Sequence, residues 1–363
     1  MRRGFRRGLA LGAAYGLVAA LVAEAVRPRG GTAALLDWDE VIRLAMARVR
    51  DQRVAPDKLA RAAATYNGFA AELRAPLLEV VGGLPQGSRL PNFEALDRAG
   101  WLELNVGILR RVMEPLAAVT RVPDSWLAMA GRAGVNRYVA LLLEFLGRRV
   151  LGQFDPQLMG REPVQPALYL VEPNVAAWQQ EAELPGADLR RWLILHEMTH
   201  AWQFARHPWL RDHMDRQIDE LIDLASRSAA SRGRDRLRVL TVGVPSQWDL
   251  VRRMQATMCL IEGHGNLVMN LAGRQVVRSF DRLQAAYRRR SSERSMLEQV
   301  VWRVTGLEMK MEQYRLGERF AEEIHGRYGM EALNRAWEGP ESLPRTEELD
   351  DPTRWYRRVV SGR

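Results

Sequence analysis

Hydrophobic residues recur at spacings of three and four along most of this chain, which is the pattern of amphipathic α-helices. In the first half the pattern predicts helices over residues 37–50, 56–81, 93–119 and 124–150. Asp37 and Asp124 can act as N-caps, and Gly82-Gly83 can end the second helix. No cluster of potential ligands falls in this half. We therefore interpret residues 31–150 as a helical bundle domain that supports or covers a site elsewhere.

The second half, residues 151–363, has the same periodicity with one exception. Residues 167–171 (ALYLV) are apolar, lie between two prolines and are the best strand candidate in the chain. Helices are predicted around residues 191–205, 247–273 and 295–328. The tail, residues 337–358, has prolines among its tryptophans and is predicted to pack as irregular structure across the helices. The predicted fold class is mainly α, with at most a small β element.

Composition bounds the size of the protein and its partners. The 363 residues, 47% of them hydrophobic, allow one large or two ordinary domains with a sizeable core. The net charge of +9 would suit a nucleic-acid partner, but residues 1–30 hold +5 of it, as six arginines against one glutamate. The rest is dispersed without an aromatic-interleaved basic cluster, so we expect no nucleic-acid binding. The single cysteine, Cys259, excludes an intramolecular disulfide.

The amino terminus has the pattern of a targeting segment. Residues 8–23 form an uncharged, largely apolar run that follows four arginines, and Ala23-Glu24-Ala25 offers a cleavage sequence. We interpret residues 1–30 as a signal peptide or amino-terminal membrane anchor, with membrane contact through residues 1–26 and a membrane-associated or exported protein. The run is shorter than the roughly 20 residues of a spanning helix. A helix packed on a cytoplasmic domain therefore stays open as the alternative.

The stretch 195–202 (LHEMTHAW) carries the main chemical signal of the chain. It contains the motif H-E-x-x-H, in which His196 and His200 are four residues apart and lie on one helical face. Their imidazole nitrogens can bind one Zn²⁺ ion, and Glu197 can reach a zinc-bound water without being a ligand. The residues around the motif are apolar, so we expect a buried helix that ends near Pro208. Unpaired ionisable groups on a buried helix are costly, and a metal explains them.

A catalytic zinc site needs a third protein ligand and one open position. We prefer Glu262, which lies in an apolar helix with Gly263 and Gly265 beside it. Glycine inside a helix costs about 1 kcal/mol unless another group must come close, and here that group would be the motif helix with its ion. The other candidates are Asp215, Asp219, Glu220 and His264. His264 points to another side of its helix than Glu262 does, and can orient a ligand, contact substrate or be a hydrogen-bonded core histidine.

Two further features could assist catalysis. Lys310 and Tyr314 share a helical face, and either could donate a hydrogen bond to the oxyanion of a tetrahedral intermediate. Alternatively, Lys310 pairs with a neighbouring glutamate and Tyr314 lies in the core. The predicted strand 167–171 could hold extended substrate as an edge strand, by analogy with zinc peptidases, or be purely structural.

Several blocks of the sequence carry a family resemblance. They are LHEMTHAWQF, HPWL, IEGHGNLVMN and GLEMKMEQYRLGERF, with VLGQFDP, LYLVEPNV and LDRAGWLELNV upstream. These blocks resemble the zincin-like metallopeptidase family, whose H-E-x-x-H members are linked with deazaflavin-coenzyme biosynthesis, over roughly residues 35 to 357. The resemblance implies a mostly helical fold in which residues 151–363 are a zincin-like domain. It also implies metal-site roles for His196, Glu197, His200 and Glu262, and it supplies no substrate.

The sequence thus predicts a zinc-dependent hydrolase whose substrate is most simply a peptide or protein. Zinc would be held by His196, His200 and Glu262, and Glu197 would act as the general base. One alternative is a non-catalytic zinc-binding scaffold, which a fourth protein ligand such as His264 would favour. Another is a membrane-associated interaction protein that acts through its basic amino terminus.

Overall fold

The computed structural model describes most of the chain after the amino-terminal segment. The described residues are 33–34, 36–47, 49, 53–119, 121–122, 126–159, 166–230, 245–292 and 307–362. The predicted signal peptide or anchor, residues 1–30, lies outside these ranges. Within helices, the side chains of residues 114–119, 126–128, 225–230, 245–248, 291–292 and 307–314 also lie outside the described part. None of the described helices is long and apolar enough to cross a membrane.

The described elements are overwhelmingly helical, which confirms the predicted fold class. In chain order they are β1 (Ala33–Ala34), α1 (Trp38–Met46), α2 (Pro56–Val81), β2 (Phe93–Leu96), α3 (Arg98–Val119), β3 (Arg121–Val122), α4 (Trp126–Gly147), β4 (Gly152–Asp155), β5 (Ala167–Val171), α5 (Glu172–Glu181), α6 (Gly186–Arg206), α7 (Trp209–Ala230), α8 (Pro245–Val276), α9 (Phe280–Ser292), α10 (Leu307–Asn334), α11 (Thr346–Asp350) and α12 (Pro352–Val359).

Helix ends follow local capping chemistry. Helix α1 begins where the Asp37 carboxylate accepts a hydrogen bond from the Glu40 backbone N–H, as the sequence predicts. The predicted helix over residues 93–119 is wrong at its start, because residues 93–96 form strand β2. Phe93 and Ala95 are buried there while Glu94 is exposed, which is the period-two pattern of a strand. Asp97 follows, and its carboxylate accepts a hydrogen bond from Gly100 N–H at 2.7 Å, so helix α3 starts only after it.

A three-stranded sheet lies beside the motif helix, with strand order β2-β5-β4. Strand β5 pairs in parallel with β2 and antiparallel with β4. The prediction of a strand at 167–171 is therefore confirmed, but the idea that it is a substrate-holding edge strand is wrong. Both of its edges already pair with neighbouring strands, so its backbone N–H and C=O groups are not available to a substrate strand. The edge strand beside the motif helix is β4.

Helix α6, which carries the motif, is surrounded by other elements. Its buried side includes large apolar residues such as Trp192, Ile194 and Trp202. This side packs in one core with the sheet, α2, α8 and α9. A second core joins α8, α10 and the carboxyl-terminal segment, and a third joins α1, α3 and α4. The division at residue 150 stays a prediction, although strand pairing and the first core both extend across that position.

The carboxyl-terminal segment differs from the prediction. Instead of being wholly irregular, it contains 3₁₀ turns at Arg335–Trp337 and Pro340–Ser342 followed by helices α11 and α12. It does pack across the helices, since Trp337 and Trp355 are almost fully buried in the second core. Pro352 sits in the first turn of α12, where proline is compatible with a helix, so the prolines here separate short helices.

Candidate metal centre

Three side chains from two helices converge at one point. His196 Nε2 and His200 Nε2 lie 3.1 Å apart, and Glu262 Oε2 lies 3.6 Å and 3.7 Å from them, respectively. Zinc with ligands at about 2.0–2.1 Å in tetrahedral geometry separates neighbouring ligand atoms by about 3.3 Å. The donor set and its spacing therefore fit a single zinc ion. In the described part of the chain, this is the one group of three or more such residues close enough to hold a metal.

The two glycines beside Glu262 turn out to face different helices. A Cβ added at Gly265 would lie 3.1 Å from His200 Cε1 and 3.5 Å from His196 Cε1. Gly265 therefore permits the close approach of the motif helix, as predicted. A Cβ at Gly263 would instead lie 2.1 Å from the Gly317 carbonyl oxygen on α10. The predicted reason for Gly263 is wrong, because its space is filled by the backbone of α10.

A buried glutamine fixes the orientation of one metal ligand. His200 Nδ1 lies 3.0 Å from Gln203 Oε1, while Gln203 Nε2 donates to the Ile261 carbonyl at 2.9 Å. Since the amide nitrogen is used as a donor, Oε1 accepts, and His200 carries its proton on Nδ1. This tautomer leaves the Nε2 lone pair free for a metal. The sequence reasoning missed Gln203, although a polar residue three positions after His200 in an apolar helix was a usable signal.

His264 is an orienting residue of the core. It is fully buried, stacks on Trp202 at 5.8 Å between ring centroids and meets the Trp337 ring edge-on at 5.3 Å. Its Nδ1 lies 3.1 Å from Gln203 Nε2, so it helps hold the amide that orients His200. Burial lowers the pKa of His264 to about 3, which keeps the ring neutral. His264 is outside the ligand cluster and does not close the site as a fourth ligand.

The other acidic candidates lie elsewhere on α7. Asp215 accepts a hydrogen bond from Met159 N–H at 2.8 Å, and Glu220 pairs with Arg253 at 3.3 Å. Asp219 is exposed. None of the three belongs to the cluster formed by the two histidines and Glu262. The structure thus separates them from the predicted third ligand.

Glu197, the second residue of the motif, meets strand β4. It is 7% exposed, and a Cβ added at Gly152 would lie 2.5 Å from Glu197 Oε1. Gly152 therefore makes room for the carboxylate, a role that sequence reasoning missed because an isolated glycine in a short strand is a weak signal. Burial raises the pKa of Glu197 to about 7; the nearby Glu262 carboxylate raises it too, whereas His196 lowers it.

The cluster opens into a large cleft. The cleft has a volume of about 1330 Å³, and His196, Glu197, His200 and Glu262 all line it. Typical small-molecule pockets measure about 300–1,000 Å³, so this one has space for several residues of an extended chain. Residues 152–154 of the edge strand β4 form one border, and Tyr287 on α9 stands on another.

The structure does not describe the side chains of the two predicted oxyanion donors. Lys310 and Tyr314 lie in helix α10, but their side chains fall outside the described part of the structure. Among the described residues lining the cleft, Tyr287 provides a phenol. Its ring meets Trp192 edge-on at 5.3 Å, and its partial burial and the nearby Glu262 raise its pKa to about 12, so the hydroxyl keeps its proton.

A metal-binding site of two histidines and one carboxylate, with a second carboxylate next to an open cleft, defines a class of metal-dependent hydrolases. The family described as zincin-like metallopeptidase matches residues 36–356, which is nearly the whole chain. The protein belongs to this family. The predicted family resemblance is thereby confirmed.

One solved structure extends the comparison to the fold. A crystal structure from Chloroflexus aurantiacus, described as that of a proposed hydrolase with a novel fold, is similar to this chain with a TM-score of 0.68. The two are 30% identical in sequence, and the similarity covers 89% of this chain and 98% of the other. Among curated proteins, none matches this chain.

Proposed function

We propose that this protein is a zinc-dependent peptidase in which Glu197 is the general base. The observation that carries the proposal is the convergence of His196 Nε2, His200 Nε2 and Glu262 Oε2 at a cleft of peptide size. A zinc ion held by these atoms would supply Lewis-acid activation of a water molecule and of the scissile carbonyl. No fourth protein ligand lies among them in the described residues, which favours an open catalytic site over a closed structural one.

The protein's own groups would divide the remaining work. Glu197 takes a proton from the attacking water and delivers it to the leaving amine, since its carboxylate faces the cleft beside His196. Gln203 holds His200 in the tautomer and ring orientation that ligation requires. The burial of Glu197, His200 and Gln203 limits their contact with bulk water and strengthens the electrostatic interactions around the reacting groups.

Strand β4 is the better candidate for holding an extended peptide. Among the described strands it pairs only with β5, along one edge, and residues 152–154 line the cleft next to Glu197. Substrate added along its second edge would gain backbone hydrogen bonds without a preference for particular side chains. The site therefore suits a peptide or a protein segment in extended conformation.

The oxyanion donor is assigned to one of three residues. Lys310 and Tyr314 remain candidates on helix α10, and Tyr287 joins them because it lines the cleft in its protonated form. Side-by-side rates for Tyr287→Phe, Lys310→Met and Tyr314→Phe would identify the donor, whose loss should lower kcat about a hundredfold. A decrease of less than twofold in all three variants would rule out each candidate.

The proposed function is tested by separating metal binding from chemistry. We expect about one zinc per chain in the full-length protein and in Glu197→Gln, and strong loss of zinc in Glu262→Ala. Glu220→Ala is the matched control, because that carboxylate pairs with Arg253 away from the cluster. Glu197→Gln should lower peptide hydrolysis about a thousandfold while keeping zinc. Hydrolysis at the wild-type rate in this variant would disprove the assigned base.

A further inference from the structure

One wall of the cleft is rich in arginine. We use the name arginine wall for five cleft-lining arginines of the segment after α4 and of helix α9. They are Arg148, Arg149, Arg282, Arg289 and Arg290. Glu181 and Glu183 line the same region, and both are exposed to solvent. Among the described carboxylates, Glu144 pairs with Arg148 at 3.2 Å and Glu181 acts on Arg290 through its charge, so the arginines of the wall outnumber them. The wall therefore presents a net positive potential to the cleft.

Arg290 is the best-anchored residue of this wall. Its Nη2 donates to the Arg149 carbonyl at 3.0 Å, and its guanidinium lies 4.9 Å from the centre of the Trp178 ring. Its Nη1 is shielded from solvent and has no hydrogen-bond partner, and no carboxylate of the described residues forms an ion pair with it. A purely structural tie explains the Nη2 bond but leaves Nη1 without a partner, because the Glu181 carboxylate acts on Arg290 through its charge and not through a hydrogen bond. Such a group is costly unless a ligand completes it.

Arg149 adds a second positive charge next to the first. Its guanidinium lies 3.8 Å from the centre of the Phe145 ring, on the last turn of α4. Partial burial lowers the pKa of both Arg149 and Arg290, and for Arg149 the charge of Arg290 lowers it further. An anion between or beside the two would relieve their mutual repulsion and gain charge-assisted hydrogen bonds.

Aromatic contacts connect this pair to the metal centre. Trp178, under Arg290, lies 6.2 Å from Trp192 between ring centroids, and Trp192 precedes His196 by one turn of α6. The pair and the metal ligands line the same cleft, so one extended chain in the cleft can contact both.

We propose that Arg290 and Arg149 form an anion subsite of the cleft, which selects peptides carrying a carboxylate at one position relative to the cleaved bond. The identity of the ligand as a peptide rests on the proposed function, whereas the charge recognition does not require the metal. A rotation of the long Arg290 side chain would present its N–H groups to the carboxylate. This carboxylate is either an acidic side chain or the free carboxyl terminus of a short substrate.

The test measures binding and hydrolysis separately. The probes are short fluorescent alanine-based peptides with one glutamate or one glutamine at each position in turn, prepared with a free or an amidated carboxyl terminus. With the metal-free, full-length protein, we expect at least one carboxylate-bearing peptide to bind about tenfold more tightly than its neutral counterpart. Added salt should weaken this preference. The position of the favoured carboxylate distinguishes an acidic side chain from a chain terminus.

Variants assign the preference to the subsite. Arg290→Gln should abolish the tenfold preference, and Arg290→Lys should retain part of it because the charge remains. Arg288→Gln is the control, since this exposed arginine of the same helix does not line the cleft. Thermal unfolding of each variant shows that the fold is kept. If Arg290→Gln unfolds, the Lys variant and the salt dependence decide.

The possible failures are distinguishable. Equal binding of acidic and neutral peptides by the wild-type protein, or a preference that survives in Arg290→Gln, would overturn the subsite. Hydrolysis without any charge preference would overturn the subsite and leave the peptidase proposal intact. A charge preference in binding without hydrolysis by the zinc-loaded protein would support the subsite and count against the peptidase proposal.

Discussion

The metal centre and the arginine wall differ in how their polar groups find hydrogen-bond partners. We use the name floor for the metal ligands at the base of the cleft together with Gln203 and His264 behind them. On the floor, His200, Gln203 and His264 form a chain of contacts between two packed helices. The floor residues thus hold one another in place before any ligand arrives. On the wall, Arg290 has a carbonyl and an aromatic ring as neighbours, and its Nη1 has no hydrogen-bond partner. The difference suggests that the floor is preorganised for an ion and the wall for a charged substrate.

The support under the floor is the most sensitive part of this arrangement. Helices α8 and α10 touch through their backbones, since a Cβ at Gly263 would lie 2.1 Å from the Gly317 carbonyl oxygen. We expect Gly263→Ala to destabilise the protein by about 3 kcal/mol or more, because backbone atoms cannot move aside cheaply. Urea unfolding of the metal-free protein measures the effect.

Two other glycines make this prediction specific. Gly68 in α2 has no atom within 4 Å of its added Cβ, so Gly68→Ala should raise stability by about 0.5–1 kcal/mol. Gly265→Ala meets the side chain of His200, which can shift, and should weaken zinc binding more than it affects folding. Equal stability of Gly263→Ala and the wild type would mean that the backbone contact does not hold the helices.

The hydrogen-bond chain of the floor is the next target. Gln203→Leu removes the acceptor of the His200 Nδ1 proton and should lower zinc affinity about 10–100-fold. The fold should survive, although the ring of His264 also loses its donor. Competition with a zinc chelator gives the affinity, and circular dichroism checks the helices. The wall predicts no such effect: Arg290→Gln should leave zinc affinity unchanged. Zinc affinity within twofold of wild type in Gln203→Leu would show that zinc binding does not need the hydrogen bond between His200 and Gln203.

The sequence could predict the floor far better than the wall. His196 and His200 belong to one helix with clear periodicity, so their side chains could be placed on a common face from their spacing of four residues. The third ligand followed from apolar context and from Gly265, which does face the motif helix. Arg149 and Arg290 are far apart in sequence, and only the packing of α9 against the segment after α4 brings them together.

The errors have identifiable physical causes. Residues 93–96 were assigned to a helix because one apolar run satisfies both periods, and only pairing with β5 makes it a strand. The prediction that residues 167–171 form an edge strand is wrong. The order of strands in a sheet depends on long-range pairing, which the sequence of a single strand does not specify. The roles of Gly152 and Gly263 could not be predicted without knowing which residue lies opposite each glycine in the fold. Local pattern thus predicted elements and ligands, while contacts between distant elements decided the rest.

Acid should weaken the packing at the end of the motif helix while leaving the arginine wall charged. His207, at the end of α6, lies between Trp202 and Trp337, and burial, with a contribution from Arg206, lowers its pKa to about 4. The unfolded chain binds this proton near pH 6.5, so His207 adds stability above that pH. This stability is lost as the pH falls from about 6.5 to 4.

The last effect we predict is therefore a pH slope. His207→Phe keeps the aromatic stack but cannot bind the proton, so it should lose about 1–2 kcal/mol less than the wild type between pH 6.5 and 4. Urea unfolding of the metal-free proteins across this range measures the difference, with His213→Phe on α7 as a comparison, because burial also lowers the pKa of His213. Other titrating groups keep part of the slope in every variant. Parallel stability curves for His207→Phe and the wild type would show that His207 is not the acid-sensitive group.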